Sequence, residues 1–255
     1  MRNMSLRGLI LVLLLASAAV LVQACRQSEP AEQSKQPAEE ATKPAKQTKE
    51  PAEASGDGDL EPIAIELPRE QPGPTPEAIR LSKYVEKHVG KPHLMAPKGT
   101  TNVALKRPVR GSDEEPIIGE LKLITDGDKE ASDGSFVELG PGRQYVQIDL
   151  GAEYNIYAVV VWHYHKQKRV YYDIVVQVSS DPDFITDVTT VFNNDYDNSA
   201  GLGVGENLEW IETYEGHLID SKGVKGRYVR CYSNGNTTND LNHYIEVEVY
   251  GKPAP

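Results

Sequence analysis

The chain has 255 residues, 39% hydrophobic and 25% charged, with a formal net charge of -11. That acidity argues against a nucleic-acid binder and against broad adhesion to anionic lipid, both of which need a basic surface. Its only cysteines, Cys25 and Cys231, lie at opposite ends of the chain.

Arg2 and Arg7 precede a charge-free run over residues 9–22. The run is too short to span a bilayer comfortably and has the layout of a signal peptide, residues 1–24. Loss of its two arginines takes the charge from -11 to -13. The run ends Leu21-Val22-Gln23-Ala24-Cys25, which resembles a bacterial lipobox. The resemblance implies that Cys25 is lipidated, and its several acyl chains give the stable anchoring that one chain does not. The alternative is an ordinary secretory signal with a chance cysteine. Arg26 in place of an aspartate points, by the same resemblance, to the outer membrane of a Gram-negative host. The expected protein is exported and lipid-anchored, facing the periplasm or the cell surface. With Cys25 acylated, Cys231 has no intrachain partner, which excludes a disulfide-stapled domain. In Tyr228-Val229-Arg230-Cys231-Tyr232 it shares the face of Val229 and reads as a buried thiol.

Residues 26–75 are rich in Pro, Ala, Glu, Lys and Gln and read as a disordered tether that carries the folded part clear of the membrane. Within it Ile63, Ile65 and Leu67 alternate, either as the end of the tether or as a strand docking on the domain. Residues 76–98 read as a short helical lead-in, with Pro76 in a first turn and Gly90 past the end.

From residue 99 to 253 the texture is that of strands. Val146, Ile148 and Leu150 alternate with Gln147 and Asp149. Ile156, Ala158, Val160 and Trp162 form a second set, and Tyr172, Ile174, Val176 and Val178 a third. Residues 228–232 form a fourth, and Ile245, Val247 and Val249 against Glu246 and Glu248 a fifth. Period-two patterns separated by Gly, Asn, Asp and Pro predict an all-β, antiparallel β-sandwich.

Three fragments carry a resemblance in this order: Asn102-Val103-Ala104-Leu105, Leu123-Ile124-Thr125-Asp126-Gly127-Asp128, and Tyr145-Val146-Gln147-Ile148-Asp149-Leu150-Gly151. With Gly226-Arg227-Tyr228-Val229-Arg230 and the closing Ile245-Glu246-Val247-Glu248-Val249-Tyr250-Gly251, they resemble a discoidin domain. That family is also called the coagulation-factor C-type or galactose-binding-like domain, and its fold is a jelly roll. The chain departs from it in lacking a terminal cysteine pair and in a long polar insertion at about residues 193–220. The resemblance implies a structural Ca²⁺ where the early acidic loop meets the last strand. Asp126 and Glu248 are the leading ligands, with Asp128 and Glu246 behind them; hard oxygen donors suit this ion.

A ligand face in such a sandwich is built from loops at one end. Tyr164, His165, Lys166 and Arg169 are candidates from one loop, Asn194 and Asp195 from a second, and Asn236, Asp240 and His243 from a third. Amides, carboxylates and histidines beside aromatics suit a sugar ring, and the same residue types also simply shape turns. His163, Asp195 and His243 would make a metal site only by converging in space. With no nucleophile elbow, His-Glu-x-x-His or phosphate loop, the sequence reads as no enzyme. It points to a binding module for carbohydrate or glycoconjugate. The alternative is a protein–protein adaptor, or a structural lipoprotein contacting an envelope or extracellular protein.

Overall fold

The computed structural model describes residues 59–70, 72–80, 83–87 and 91–255; the expected signal peptide, Cys25 and the tether as far as residue 58 lie outside them. In chain order the strands are β1 (Leu60–Pro62), β2 (Met95–Pro97), β3 (Thr101–Asn102), β4 (Val109–Gly111), β5 (Val137–Leu139), β6 (Gln144–Trp162), β7 (Val175–Ser179), β8 (Thr189–Asn193), β9 (His217–Ser233), β10 (Asn242–Tyr244) and β11 (Glu246–Pro253). One short helix, α1 (Glu77–Arg80), and one 3-10 turn, Leu121–Thr125, complete the described elements.

β6 and β9 have 19 and 17 residues, several times the usual strand length. They pair antiparallel along most of that length, and the register breaks between Asp149 and Tyr154. Gly151 lies at the break with φ +82°, a conformation that glycine adopts without a Cβ penalty. Its N–H donates to Asp149 Oδ1 at 2.8 Å, and Arg227 clamps the same carboxylate through bonds of 2.7 and 2.8 Å. The paired ribbon turns a corner here. Before it, residues 144–149 run beside 228–233, with β4 on one flank and β7 and β8 on the other. After it, residues 154–161 run beside 217–226, with β11 and then β3 beyond. The product is two antiparallel layers that share two strands. It is the all-β sandwich that the alternation predicts.

The main core lies between the layers and joins Val146 and Ile148 with Ile156, Val159, Val161, Val247 and Val249. Cys231 is part of it, 1% exposed, and burial pushes its thiol up to about 12. The sequence pattern puts Ile156, Ala158, Val160 and Trp162 on one face, but the strand is irregular between Ile156 and Ala158. An extra residue reverses the face of everything after it. Ile156 therefore stays in the central core, while Ala158, Val160 and Trp162 turn to the outer side.

That outer side is buried too. β1 pairs with β2, and Ile63, Ile65, Leu67, Leu94 and Ala96 pack with Ala158, Val160, Trp162, Ile245 and Tyr250 in a second core. The Ile63 N–H donates to Leu94 O at 2.9 Å, and the Tyr250 hydroxyl oxygen lies 3.2 Å from Ala64 O. Residues 59–70, which composition groups with the tether, are thus docked on the domain. The alternation at 63, 65 and 67 is the local trace of it. Of the helical lead-in, α1 alone is helical among the described residues. Val85 instead forms a parallel bridge with Glu209, so tertiary pairing takes a segment whose periodicity also suits a helix.

Candidate functional site

The three polar stretches come together, chiefly by bonding to one another. Tyr171 bridges to Asn236, and the Asn194 N–H donates to Ile174 O at 3.1 Å. Asp173 Oδ2 accepts from Ser199 at 2.6 Å and from Asn234 at 2.7 Å. Most of the candidate ligand residues are consumed in this knot. Asn194 Oδ1 accepts the Ile174 N–H at 2.7 Å. Asp195 takes the N–H groups of Ser199 and Ala200 at 3.0 and 2.9 Å. Asn236 donates to Asn239 and Leu241, both at 2.8 Å. His165 Nε2 bonds Lys129 O at 3.0 Å. Arg169 is buried, lying 4.9 Å over the Tyr164 ring and bonded to Gln167. Among the nine candidates only Lys166 and Asp240 are exposed, and Tyr164 is half-buried. The turn-shaping habit of Asn and Asp accounts for these placements.

His243 bonds the Tyr171 hydroxyl at 3.0 Å and Glu138 Oε2 at 3.0 Å. Burial, with Arg169 and His163 nearby, holds its imidazole down to about 4 from 6.5. An unfolded His243 gains its proton as pH falls below 6.5, whereas the folded one resists until about 4. Its contribution is complete above 6.5 and is lost on acidification toward 4, at about 1.4 kcal/mol per pH unit. Urea midpoints at pH 7 and pH 5 are expected to differ less in His243→Gln than in wild type. An equal drop in both proteins would exclude His243 as the source.

The insertion closes over this end. Glu212 is fully buried, its N–H donates to Arg169 O at 2.9 Å, and its Oε1 lies 2.7 Å from His163 Nδ1. His163 stacks on Tyr171 with centroids 4.4 Å apart. His163, Asp195 and His243 thus each have other partners. Among the described residues, Asp173, Asp195 and Asp197 bring carboxylate oxygens within 4.8 Å of one another, and these carboxylates also accept hydrogen bonds from the loop. Sequence reasoning did not single out Glu212 or Glu138, because neither lies in a motif. Only the unusual length of the insertion marked its region.

At the expected cation site, Glu246 and Glu248 do leave the central core, but the docked N-terminal residues and the acidic loop bury them to 0% and 5% exposure. Residues 246 and 248 therefore face a second buried layer and not solvent. Glu246 Oε2 accepts the Gly127 N–H at 3.2 Å, and Oε1 is buried without a partner. Burial, with Glu248 and Asp126 close by, pushes this carboxyl up to about 9. Glu248 meets Lys129 Nζ at 2.8 Å and the Tyr250 hydroxyl at 2.8 Å. Asp128 accepts from the Glu130 N–H and the Ser135 hydroxyl, and is spent on the turn. The orphaned Glu246 oxygen suits an added cation, and the exposed Asp126 of the loop is close enough to act on the same carboxyl; Lys129 already supplies countercharge to Glu248.

Beside the insertion lies a cleft of about 700 Å³, lined by Glu70, Glu86 and His93 of the N-terminal residues and by Trp210, Tyr214 and His217. Trp210 and His217 stack with ring centroids 3.9 Å apart and 9° between planes.

Residues 123–231 match a family model described as a NedA-like, galactose-binding domain. No curated protein matches the chain. Among solved structures, the CBM32 of AlyQ in complex with 4,5-unsaturated mannuronic acid is 19% identical, covering 56% of this chain and 92% of that one, with a TM-score of 0.42. Chitosan-binding module 1 from a chitosanase/glucanase of Paenibacillus sp. IK-5 is 22% identical over 59% of this chain and 99% of that one, with a TM-score of 0.40. A fucolectin from striped bass serum, Morone saxatilis, is 18% identical over 62% of this chain and 50% of that one, with a TM-score of 0.43.

Proposed function

We propose that the chain is a non-catalytic carbohydrate-binding module of the discoidin-like, galactose-binding type, presented outside the cell membrane by a lipid anchor at Cys25. The observation that carries the binding reading is the match of residues 123–231 to a galactose-binding domain, set on a sandwich whose polar loops gather at one end. Two buried His–carboxylate pairs, His163–Glu212 and His243–Glu138, resemble general-base arrangements. They are packed inside the loop cluster and serve to hold it, which supports binding over catalysis. A soluble chain of residues 59–255 on a glycan array is expected to select a reproducible glycan class. Silence from this folded chain would overturn the reading in favour of a protein partner.

Ca²⁺ is proposed at the acidic loop, held by Glu246 and Asp126 with carbonyl oxygens of the loop. There it would supply positive charge to a buried carboxylate that otherwise favours its neutral form. Addition of Ca²⁺ is expected to raise the thermal midpoint of the wild type by several degrees, reversed by chelator, and to leave Glu246→Gln unmoved. An equal shift in the two proteins places the ion elsewhere.

A further inference from the structure

Resting on the carbohydrate reading, we infer that the ligand is held in the cleft beside the insertion, away from the loop tips, and that it is a neutral saccharide. The loop tips offer few free groups, because their amides, histidines and acids are bonded to each other. The cleft differs in three respects.

Its aromatic wall is fixed in advance. Thr213 O accepts the Gly216 N–H at 3.1 Å, closing a tight turn around Tyr214 and Glu215. Gly216 has φ +67°, and a Cβ there would come within 2.5 Å of the Trp162 ring. The Trp162 indole N–H donates to Tyr214 O at 3.0 Å. Trp162 is fully buried, so the turn is pinned to the second core and presents a half-exposed Tyr214 to the cleft. A rigid aromatic loses little entropy on meeting a ligand.

The polar groups facing each other are mixed. Glu70 and Glu86 supply acceptors, and Lys91 and Lys168 supply donors. His217 Nδ1 lies 3.4 Å from Glu86 Oε1. Trp210, in the stacked wall, has a buried indole N–H without a partner. A hydroxyl both donates and accepts, so a sugar bearing several of them answers carboxylates and amino groups together. Charge of both signs lines the cleft, so a cationic amino sugar or a uronate meets like charge as well as opposite charge, and the like-charge contacts cost affinity.

The third respect is size. About 700 Å³ falls within the usual range for small-ligand pockets. Its walls come from the insertion and from the docked N-terminal residues.

The test is titration of residues 59–255 with three tetrasaccharides: N-acetylglucosamine as the neutral probe, glucosamine as the cationic one and mannuronate as the anionic one. Trp210 and Trp162 give the chain two indole signals in a nitrogen–proton correlation spectrum; Trp210 lines the cleft and reports it, and the buried Trp162 is the internal reference. The expected result is binding of the neutral probe with a shift of the Trp210 signal. Tyr214→Ala should weaken it at least tenfold, while Asp240→Ala, at an exposed position of the loop tips, binds as wild type. Glu70→Gln, an exposed change, is the second cleft variant and should weaken binding if Tyr214→Ala disturbs the turn. If Asp240→Ala loses binding, or both cleft variants retain it, the cleft assignment falls and the carbohydrate reading stands. Preference for a charged probe overturns the neutral class. No binding of any of the three by the wild type, together with a silent glycan array, overturns both readings.

Discussion

A chain cut back to residue 99, the domain boundary that composition suggests, is expected to be far less stable than one beginning at residue 59. The shorter chain lacks Ile63, Ile65, Leu67, Leu94 and Ala96, and it opens the outer face of Ala158, Val160, Trp162, Ile245 and Tyr250 to water. Fully burying one large aliphatic side chain contributes about 1.5–3 kcal/mol. Ile63 is nearly fully buried and the other three large residues partly so, which gives a loss of about 3–6 kcal/mol by the same measure. Glu246 and Glu248 regain water in the cut chain, and this offsets part of the loss. For a domain of this size the net effect corresponds to a fall of about 10 °C in the thermal midpoint. Thermal and urea unfolding of the two chains measure it directly. Midpoints that agree within about 2 °C would show that the second core is only a surface covering.

The second large effect is expected at Glu212. Replacement by alanine removes the partner of a fully buried imidazole and leaves His163 Nδ1, like Nε2 already, without a bond. Truncating one member of a buried, hydrogen-bonded pair costs about 3 kcal/mol. Glu212→Gln keeps an oxygen near His163 and is expected to cost about half as much. A structural role limited to general stability would protect or expose the whole chain alike. The strap role has a local signature: in Glu212→Ala, amide hydrogens of residues 206–216 exchange faster while those of β6 and β11 keep their order. A cost below about 1 kcal/mol, with unchanged exchange in the insertion, would sink the idea that Glu212 fastens it.

The strands were legible in the sequence because a half-buried strand writes its two faces into alternate residues. Val146, Ile148 and Leu150 read correctly for that reason. Residues 156–162 did not, since a bulge leaves no mark in a run where every residue is apolar; both faces of that segment are buried and parity carries no information. Trp162 was legible as a core residue, although the core it fills is the second one. The N-terminal cover was nearly hidden: three alternating aliphatic residues lie among prolines and glutamates, and composition over a long window outweighs them. The site was the least legible part. Asn194, Asp195, Asn236 and His243 have the chemistry of ligand contacts, and the same chemistry joins loops to each other. Which use prevails depends on the partner across the gap. Residues such as Glu138 and Glu212 are supplied from distant positions that no local motif indicates.

The docked N-terminal residues also give the molecule an order of yielding under load. A pull drawn through the chain before Asp59 falls first on a few contacts: the Lys98 N–H to Asp59 O at 2.9 Å, the Gly99 N–H to Glu61 Oε1 at 2.8 Å, and the three-residue ladder of β1 on β2. The long β6–β9 ribbon lies behind them, held by many more paired residues, so these contacts part first. Residues 59–70 can peel away one contact at a time, adding roughly 40 Å of extended chain at about 3.4 Å per residue. The line therefore lengthens before the sandwich is stressed, and it can wind back when the load is released.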